Sequence, residues 1–106
     1  MPHITVKGMP ENEVLQIQSR LMKTVSEKSG ADLKYVRLDY MPSVQIGNDK
    51  KSVKAEILWL KGRSQEVQDS TASAVYEIFK DMGYEEIFVT FTNMPPEDFY
   101  ENGVHY

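Results

Sequence analysis

The chain has 106 residues, of which 41% are hydrophobic, and a formal net charge of −4 at pH 7. That length supports one hydrophobic core, and the negative charge disfavours nucleic acid as a partner. The absence of cysteine excludes disulfides and thiolate zinc ligands, and the longest apolar run, Ile57–Leu60, is far below membrane-spanning length. We therefore expect a cytoplasmic protein that binds neither nucleic acid nor membrane.

The first half of the chain predicts a strand, a helix and a second strand. Ile4 and Val6 alternate with polar neighbours, as in a half-buried strand. Pro10 suits the first helical position, and Gly30 is typical of a residue that closes a helix. Alternation resumes from Val36 to Tyr40 until a proline ends the strand. The apolar stripe predicted for the helix consists of Val14, Ile17, Leu21 and Val25.

The second half repeats this order after a polar loop over residues 43–52. A strand is predicted from Val53 to Lys61, and Ser64 suits the N-cap of the second helix. Gly83 is placed to end that helix, and alternation from Ile87 to Phe91 predicts the fourth strand. The buried stripe predicted for this helix consists of Val67, Thr71, Ala74, Val75, Ile78 and Met82.

Several residues of the two halves come into register when one half is shifted by 53 positions. The shift places Gly30 on Gly83 and Met41-Pro42 on Met94-Pro95, so residues that end helices and strands recur in order. We infer an internal duplication over residues 1–43 and 53–96, followed by a tail over residues 97–106. All three parts belong to one predicted domain, residues 1–106.

Two βαβ units in one domain predict an α/β fold of two layers, an α+β sandwich. Right-handed crossovers place both helices on the same face of a four-stranded mixed sheet. The other face of such a sheet is left open, and Leu58 and Leu60 are predicted to point to it. We expect this face to be covered by another subunit, by the C-terminal residues 95–106, or by both.

Three stretches of the chain resemble the tautomerase superfamily. They are Met1-Pro2-His3-Ile4 with its penultimate proline, Gly62-Arg63-Ser64 between a strand and a helix, and Leu33-Lys34-Tyr35-Val36-Arg37 at the start of a strand. The segment from Ala55 to Val67 is similar to the start of 4-oxalocrotonate tautomerase. The full length is similar to macrophage migration inhibitory factor and to an uncharacterised double-length bacterial branch. The resemblance implies this fold, a homotrimer, and proton transfer on a small 2-oxo or enol carboxylic acid.

The resemblance also implies which residues form the site. Pro2, freed by removal of Met1, is the expected general base or acid, because burial of a secondary amine lowers its pKa toward neutrality. Arg63 and Arg37 are expected to bind the carboxylate of a small anionic substrate. Phe99, with Tyr100 as the competing choice, is expected to form an apolar wall. No cofactor and no metal are expected.

A non-catalytic function is the alternative, because ferredoxin-like domains share the element order βαββαβ. Such a chain would be a ligand-binding or assembly module of ferredoxin-like or tautomerase fold. We take a sheet whose two inner strands are the first and the third as the sign of a ferredoxin-like domain. Two observations would also remove the catalytic interpretation: Met1 retained on Pro2, which turns the ring nitrogen into an amide, or a Pro2 nitrogen that opens onto bulk water with no cation near it. Arg37 has the alternative role of an outward strand charge paired with a neighbouring carboxylate.

Overall fold

The chain folds into two βαβ units and a short C-terminal hairpin, and the computed structural model describes all 106 residues. The main elements are β1 (His3–Lys7), α1 (Glu11–Ser29), β2 (Arg37–Tyr40), β3 (Ser52–Leu60), α2 (Gln65–Asp81), β4 (Glu86–Met94), β5 (Tyr100–Glu101) and β6 (Val104–His105). Short 3-10 turns at Leu33–Tyr35 and Pro96–Asp98 precede β2 and β5. The predicted α+β element order is confirmed.

The four long strands form one mixed sheet in the order β2-β1-β3-β4. Strand β1 runs parallel to β2 and β3 runs parallel to β4, while β1 and β3 meet antiparallel with Ile4 opposite Ile57. Each unit is therefore a contiguous βαβ, in which the two parallel strands are neighbours.

The criterion that we set for a ferredoxin-like sheet is wrong. The first and third strands are indeed the inner pair. However, a ferredoxin-like sheet is built from split βαβ units, in which another strand separates the two parallel strands. Here β1 and β2 are hydrogen-bonded neighbours, as are β3 and β4. The two folds share the same inner and outer strands and differ in pairing, since each outer strand here lies next to its own βαβ partner.

Both helices cover the same face of the sheet and enclose the core. The stripe predicted for α1 is confirmed, since all four of its residues are buried. In α2 the buried residues include Phe79, which the predicted stripe omitted, whereas Val67 and Met82 are partly buried. The strand residues that face the helices with almost no exposed surface are Ile4, Val6, Val53, Ala55, Ile57 and Trp59.

The ends of the helices follow the expected local chemistry. The Ser64 hydroxyl accepts a hydrogen bond from the Val67 amide, and Gly30 closes α1 with φ = 78°. Pro10 directly precedes α1 instead of lying in its first turn, and its carbonyl accepts from the amides of Glu13 and Val14.

The opposite face of the sheet lacks a second layer. Leu58 and Leu60 are half-buried on this face, and Phe88 is 44% exposed. The C-terminal residues reach this face at His3, where the Phe99 ring lies 5.8 Å away. Two apolar residues of the loop after β2, Val44 and Ile46, are also largely exposed to solvent. Neither helix is long and apolar enough to cross a bilayer.

Candidate active site

The N-terminus is held inside the fold at one end of β1. Met1 and Pro2 are both buried. The Met1 amine donates a hydrogen bond of 3.1 Å to the Tyr35 carbonyl, and the Arg37 amide donates one of 3.1 Å to the Pro2 carbonyl. These contacts extend the pairing of β1 with β2 to the first residue. With Met1 attached, the free amine belongs to Met1 and the Pro2 nitrogen lies in a peptide bond.

The surroundings of the terminal amine favour its neutral form. Burial lowers the pKa of the Met1 amine below its ordinary value, because the charged form loses hydration. The positive charge of Arg37 lowers this pKa further, and Arg63 adds a smaller effect in the same direction. The Glu101 carboxylate opposes them but does not reverse the shift. A neutral amine at this position has the lone pair that is needed to accept a proton.

Arg37 lies next to the N-terminus on the exposed edge strand. It is the register partner of His3 in the β1–β2 pair. Its Nη1 donates to the carbonyls of Lys34 at 2.7 Å and of Val36 at 3.1 Å, and these bonds fix the direction of the side chain. The ion pairs of the chain are Lys7–Glu56 and Arg20–Asp81, so Arg37 is not neutralised by a carboxylate. Its Nε and Nη2 groups keep their donors available for an anion.

Arg63 is more firmly tied into the protein than Arg37. Its Nε donates to the Ser29 carbonyl at 3.1 Å and its Nη1 to the Leu60 carbonyl at 3.3 Å. The guanidinium carbon also lies 4.6 Å from the centre of the Trp59 ring. Burial lowers the pKa of Arg63 as well. Arg63 therefore joins the end of α1 to the end of β3, with Nη2 left for a ligand.

The structure separates the two aromatic candidates. Phe99 is half-buried, and its ring meets those of His3 and Tyr106 edge-on, at centroid distances of 5.8 and 5.1 Å. Tyr100 is 61% exposed and its ring pairs with that of His105. Phe99 thus lies beside the N-terminal strand, together with Pro2 and Arg37. Tyr100 is not part of this group.

Sequence reasoning did not assign three further groups around the amine. One is the Tyr35 carbonyl, and the others are Glu101 and Tyr106 of the C-terminal hairpin. The Tyr106 hydroxyl donates to the Glu101 carboxylate at 2.7 Å, and the Tyr106 amide donates to the Phe99 carbonyl at 3.0 Å. No sequence motif connects residue 101 with residue 1, because only the folded hairpin brings them close together.

The chain offers no evident metal centre. It contains no group of three or more histidine and acidic side chains that could hold an ion. His3, the histidine beside the N-terminus, has a pKa lowered by burial first, then by the terminal amine and by Arg37. The chemistry available at this site is therefore that of an amine, guanidinium groups and a carboxylate.

Comparison with known proteins gives one family and several similar folds. Residues 1–105 match a family described as a domain of unknown function, DUF1904. The sequence matches no curated protein. A DUF1904 crystal structure from Sebaldella termitidis is 24% identical with a TM-score of 0.88, and the match covers 100% of both chains.

Two further solved structures belong to the tautomerase superfamily. Pt0534 inactivated by 2-oxo-3-pentynoate is 18% identical with a TM-score of 0.83. The match covers 98% of this chain and 96% of that chain. A fused 4-OT described as a symmetric trimer is 18% identical with a TM-score of 0.82. The match covers 98% of this chain and 95% of that chain. At these identities the likeness establishes the tautomerase fold, as the sequence predicted.

Proposed function

The chain belongs to the DUF1904 family, a family of unknown function, and on that premise we propose that it is a tautomerase-like enzyme. In this proposal the chain moves a proton on a small 2-oxo or enol carboxylic acid. Pro2, freed by removal of Met1, is the general base and acid. Arg37 and Arg63 bind the substrate carboxylate, and Phe99 forms an apolar wall of the site.

The observation that supports this proposal most is the buried N-terminus beside an unpaired arginine. Burial and the charge of Arg37 both lower the pKa of the terminal amine. After removal of Met1 the Pro2 ring nitrogen is the terminal amine, one residue farther along the chain. A secondary amine kept neutral in this way has the lone pair that a general base requires.

The proposed reaction needs no atom from outside the substrate. The Pro2 amine takes a proton from the carbon next to the substrate carbonyl, and the C–H electron pair becomes a C=C bond. The carbonyl π electrons move onto oxygen, where negative charge develops near the guanidinium groups. The proton then returns to that oxygen, so the 2-oxo acid becomes its enol. The reverse sequence converts the enol to the 2-oxo acid.

The similar structures support the class of substrate and the assembly. Pt0534, which shares the fold, is inactivated by 2-oxo-3-pentynoate, a small 2-oxo acid. The fused 4-OT with this fold is a trimer. We infer that this chain also forms a homotrimer, which would cover the open face of the sheet. Sedimentation equilibrium at micromolar concentration tests this, and a monomer mass would contradict it.

A non-catalytic ligand-binding module is the second candidate, favoured by the place of Met1. Met1 is 8% exposed and its amine donates to the Tyr35 carbonyl, so the fold accommodates this residue. A protein that keeps Met1 retains the arginines of the site but has no basic ring nitrogen. The intact mass of the purified protein distinguishes the two candidates, because processing removes the mass of one methionine.

The catalytic proposal is tested by ketonisation of phenylenolpyruvate. We expect Pro2→Ala to lower kcat/KM by about 100-fold, the lower end of what a positioned base contributes. Arg37→Ala should act mainly by raising KM, because it removes a carboxylate contact. Arg20→Ala is the matched control, since Arg20 forms an exposed ion pair with Asp81 elsewhere on the surface. Unchanged turnover in Pro2→Ala would remove Pro2 from the mechanism.

A further inference from the structure

The C-terminal hairpin carries an exposed carboxylate, Glu101, that is connected to the proposed site through aromatic contacts. Phe99 contacts His3 through its ring, and Tyr106 packs on Phe99 from the other end of the hairpin. Tyr106 in turn holds Glu101 with a 2.7 Å hydrogen bond from its hydroxyl. The contacts from His3 to Phe99, from Phe99 to Tyr106 and from Tyr106 to Glu101 are thus continuous. They connect the residue after Pro2 with an acidic side chain almost a hundred positions later.

The Glu101 carboxylate has no cationic partner in this arrangement. Neither of the ion pairs in the chain involves it. Its hydrogen-bond donor, Tyr106, is an uncharged phenol, and the bond to Glu101 raises the pKa of that phenol. Tyr106 therefore remains a protonated donor throughout the neutral range. It orients the carboxylate without cancelling its charge.

The field of Glu101 reaches the groups at which substrate would bind. Glu101 raises the pKa of the terminal amine and that of His3. The other charged groups around the amine are Arg37 on β2 and Arg63 before α2, and Asp39 also acts on His3. The site therefore presents two cations, Arg37 and Arg63, to one substrate carboxylate. It has one anion, Glu101, on the side of the hairpin.

We propose that Glu101, oriented by Tyr106, is a specificity-determining residue that makes this site selective for monocarboxylates. The inference rests on the proposed function, because it assumes that the substrate carboxylate binds at Arg37. A second carboxylate on a small acid would lie within the field of Glu101 and be repelled. An apolar or hydrogen-bond-donating end would be accepted. The substrate class is thus a 2-oxo or enol acid with a single negative charge.

Two acids with the same six-carbon chain test this selectivity. 2-Oxohexanoate ends in a methyl group and 2-oxohexanedioate in a carboxylate, and exchange of the C3 protons in D2O reports proton transfer on either. We expect wild type to favour the monocarboxylate in kcat/KM. In Glu101→Gln the preference should fall by roughly tenfold, the size of one like-charge contact in a partly solvated site.

Two further variants separate charge from structure. Glu97→Gln makes the same change in net charge at an exposed position just before the hairpin and should leave the preference unchanged. Glu101→Asp keeps the charge and should restore most of the preference. A preference in Glu101→Gln equal to that of wild type would overturn the inference, as would loss of preference in Glu97→Gln.

The outcome remains decisive if the proposed function fails. Absence of exchange with both acids in wild type would contradict the proposed proton transfer. In that case each acid is titrated into the protein and its dissociation constant is measured from the shifts of the His3 ring signals. The ratio of the two dissociation constants then replaces the ratio of kcat/KM values. A ratio that does not change in Glu101→Gln, or the absence of binding by both acids, would overturn the inference. A ratio that falls would support it without catalysis.

Discussion

The ring of Phe99 meets the ring of His3 edge-on, with centroids 5.8 Å apart, and this contact joins the two ends of the chain. Tyr106 adds a second edge-on contact to Phe99 at 5.1 Å. Each such pair stabilises a fold by about 0.5–1.5 kcal/mol beyond the area it buries. The first contact attaches the C-terminal segment to β1, and the second holds the last residue of the chain against Phe99.

Phe99→Ala is expected to release this hairpin while leaving the sheet intact. Amide hydrogen exchange over residues 100–106 should become faster, because both aromatic contacts are lost, and the His3 ring signals should shift. Tyr100→Ala is the control, since Tyr100 is 61% exposed and does not contact His3 through its ring. Equal protection of the hairpin in wild type and Phe99→Ala would contradict this account of its docking.

Asn93 satisfies the buried indole of Trp59 and should matter for stability. Trp59 has no exposed surface, and its indole N–H donates to the Asn93 side-chain oxygen at 2.7 Å. Asn93→Ala leaves that donor without a partner, which costs about 1–3 kcal/mol in the free energy of unfolding.

Urea unfolding followed by Trp59 fluorescence measures this cost, because the chain has one tryptophan. Gln68→Ala is the control, since it removes only the exposed 3.2 Å bond between Asn93 and Gln68. A loss in Asn93→Ala no larger than that in Gln68→Ala would show that the indole needs no partner from Asn93.

Phe79 should be among the most costly positions to truncate. It has no exposed surface and belongs to the single hydrophobic core. Phe79→Ala is expected to lower the free energy of unfolding by about 3–5 kcal/mol through lost burial and a new cavity. Tyr76, on the exposed side of the same helix, should tolerate alanine with a loss of about 1 kcal/mol or less. Similar losses at the two positions would contradict the packing described for α2.

His3 gives the fold a specific dependence on pH. Burial, the terminal amine and Arg37 together lower its pKa below the ordinary value of 6.5. The unfolded chain therefore binds a proton at His3 before the folded chain does. The free energy of unfolding should fall as pH drops below about 6.5, until the lower folded pKa is passed.

His3→Asn removes this contribution to the pH dependence. Urea unfolding at several pH values between 7 and 5 should show a shallower fall for the variant than for wild type. Carboxylates affect both proteins alike, so the difference between the two curves isolates His3. Parallel curves would show that the fold does not perturb this histidine.

Local patterns in the sequence were sufficient to predict the elements and most of the core. The stripe of α1 and the caps at Ser64 and Gly30 depend on residues within a few positions of one another. Phe79 was missed because α2 packs against both α1 and β4, which widens its buried face beyond the stripe that was counted.

The site was less predictable than the fold, for a physical reason. Pro2, Arg37 and Phe99 were predicted through a family resemblance, and the structure brings them near one another. Glu101 and Tyr106 reach the N-terminus only through the docking of the hairpin, a long-range contact that no spacing rule describes. The inner-strand criterion failed because it ignored which inner strand each outer strand pairs with.

The central claim is that the Pro2 nitrogen is a free amine with a lowered pKa, and a titration of that nitrogen tests it directly. The Cα and Cδ signals of Pro2 in protein labelled with 13C-proline report its charge, and the chain has only five prolines to assign. The account predicts that these signals titrate with a pKa below that of an ordinary terminal amine. Signals that do not titrate, as in a peptide bond to Met1, or a titration at the ordinary value, would contradict it.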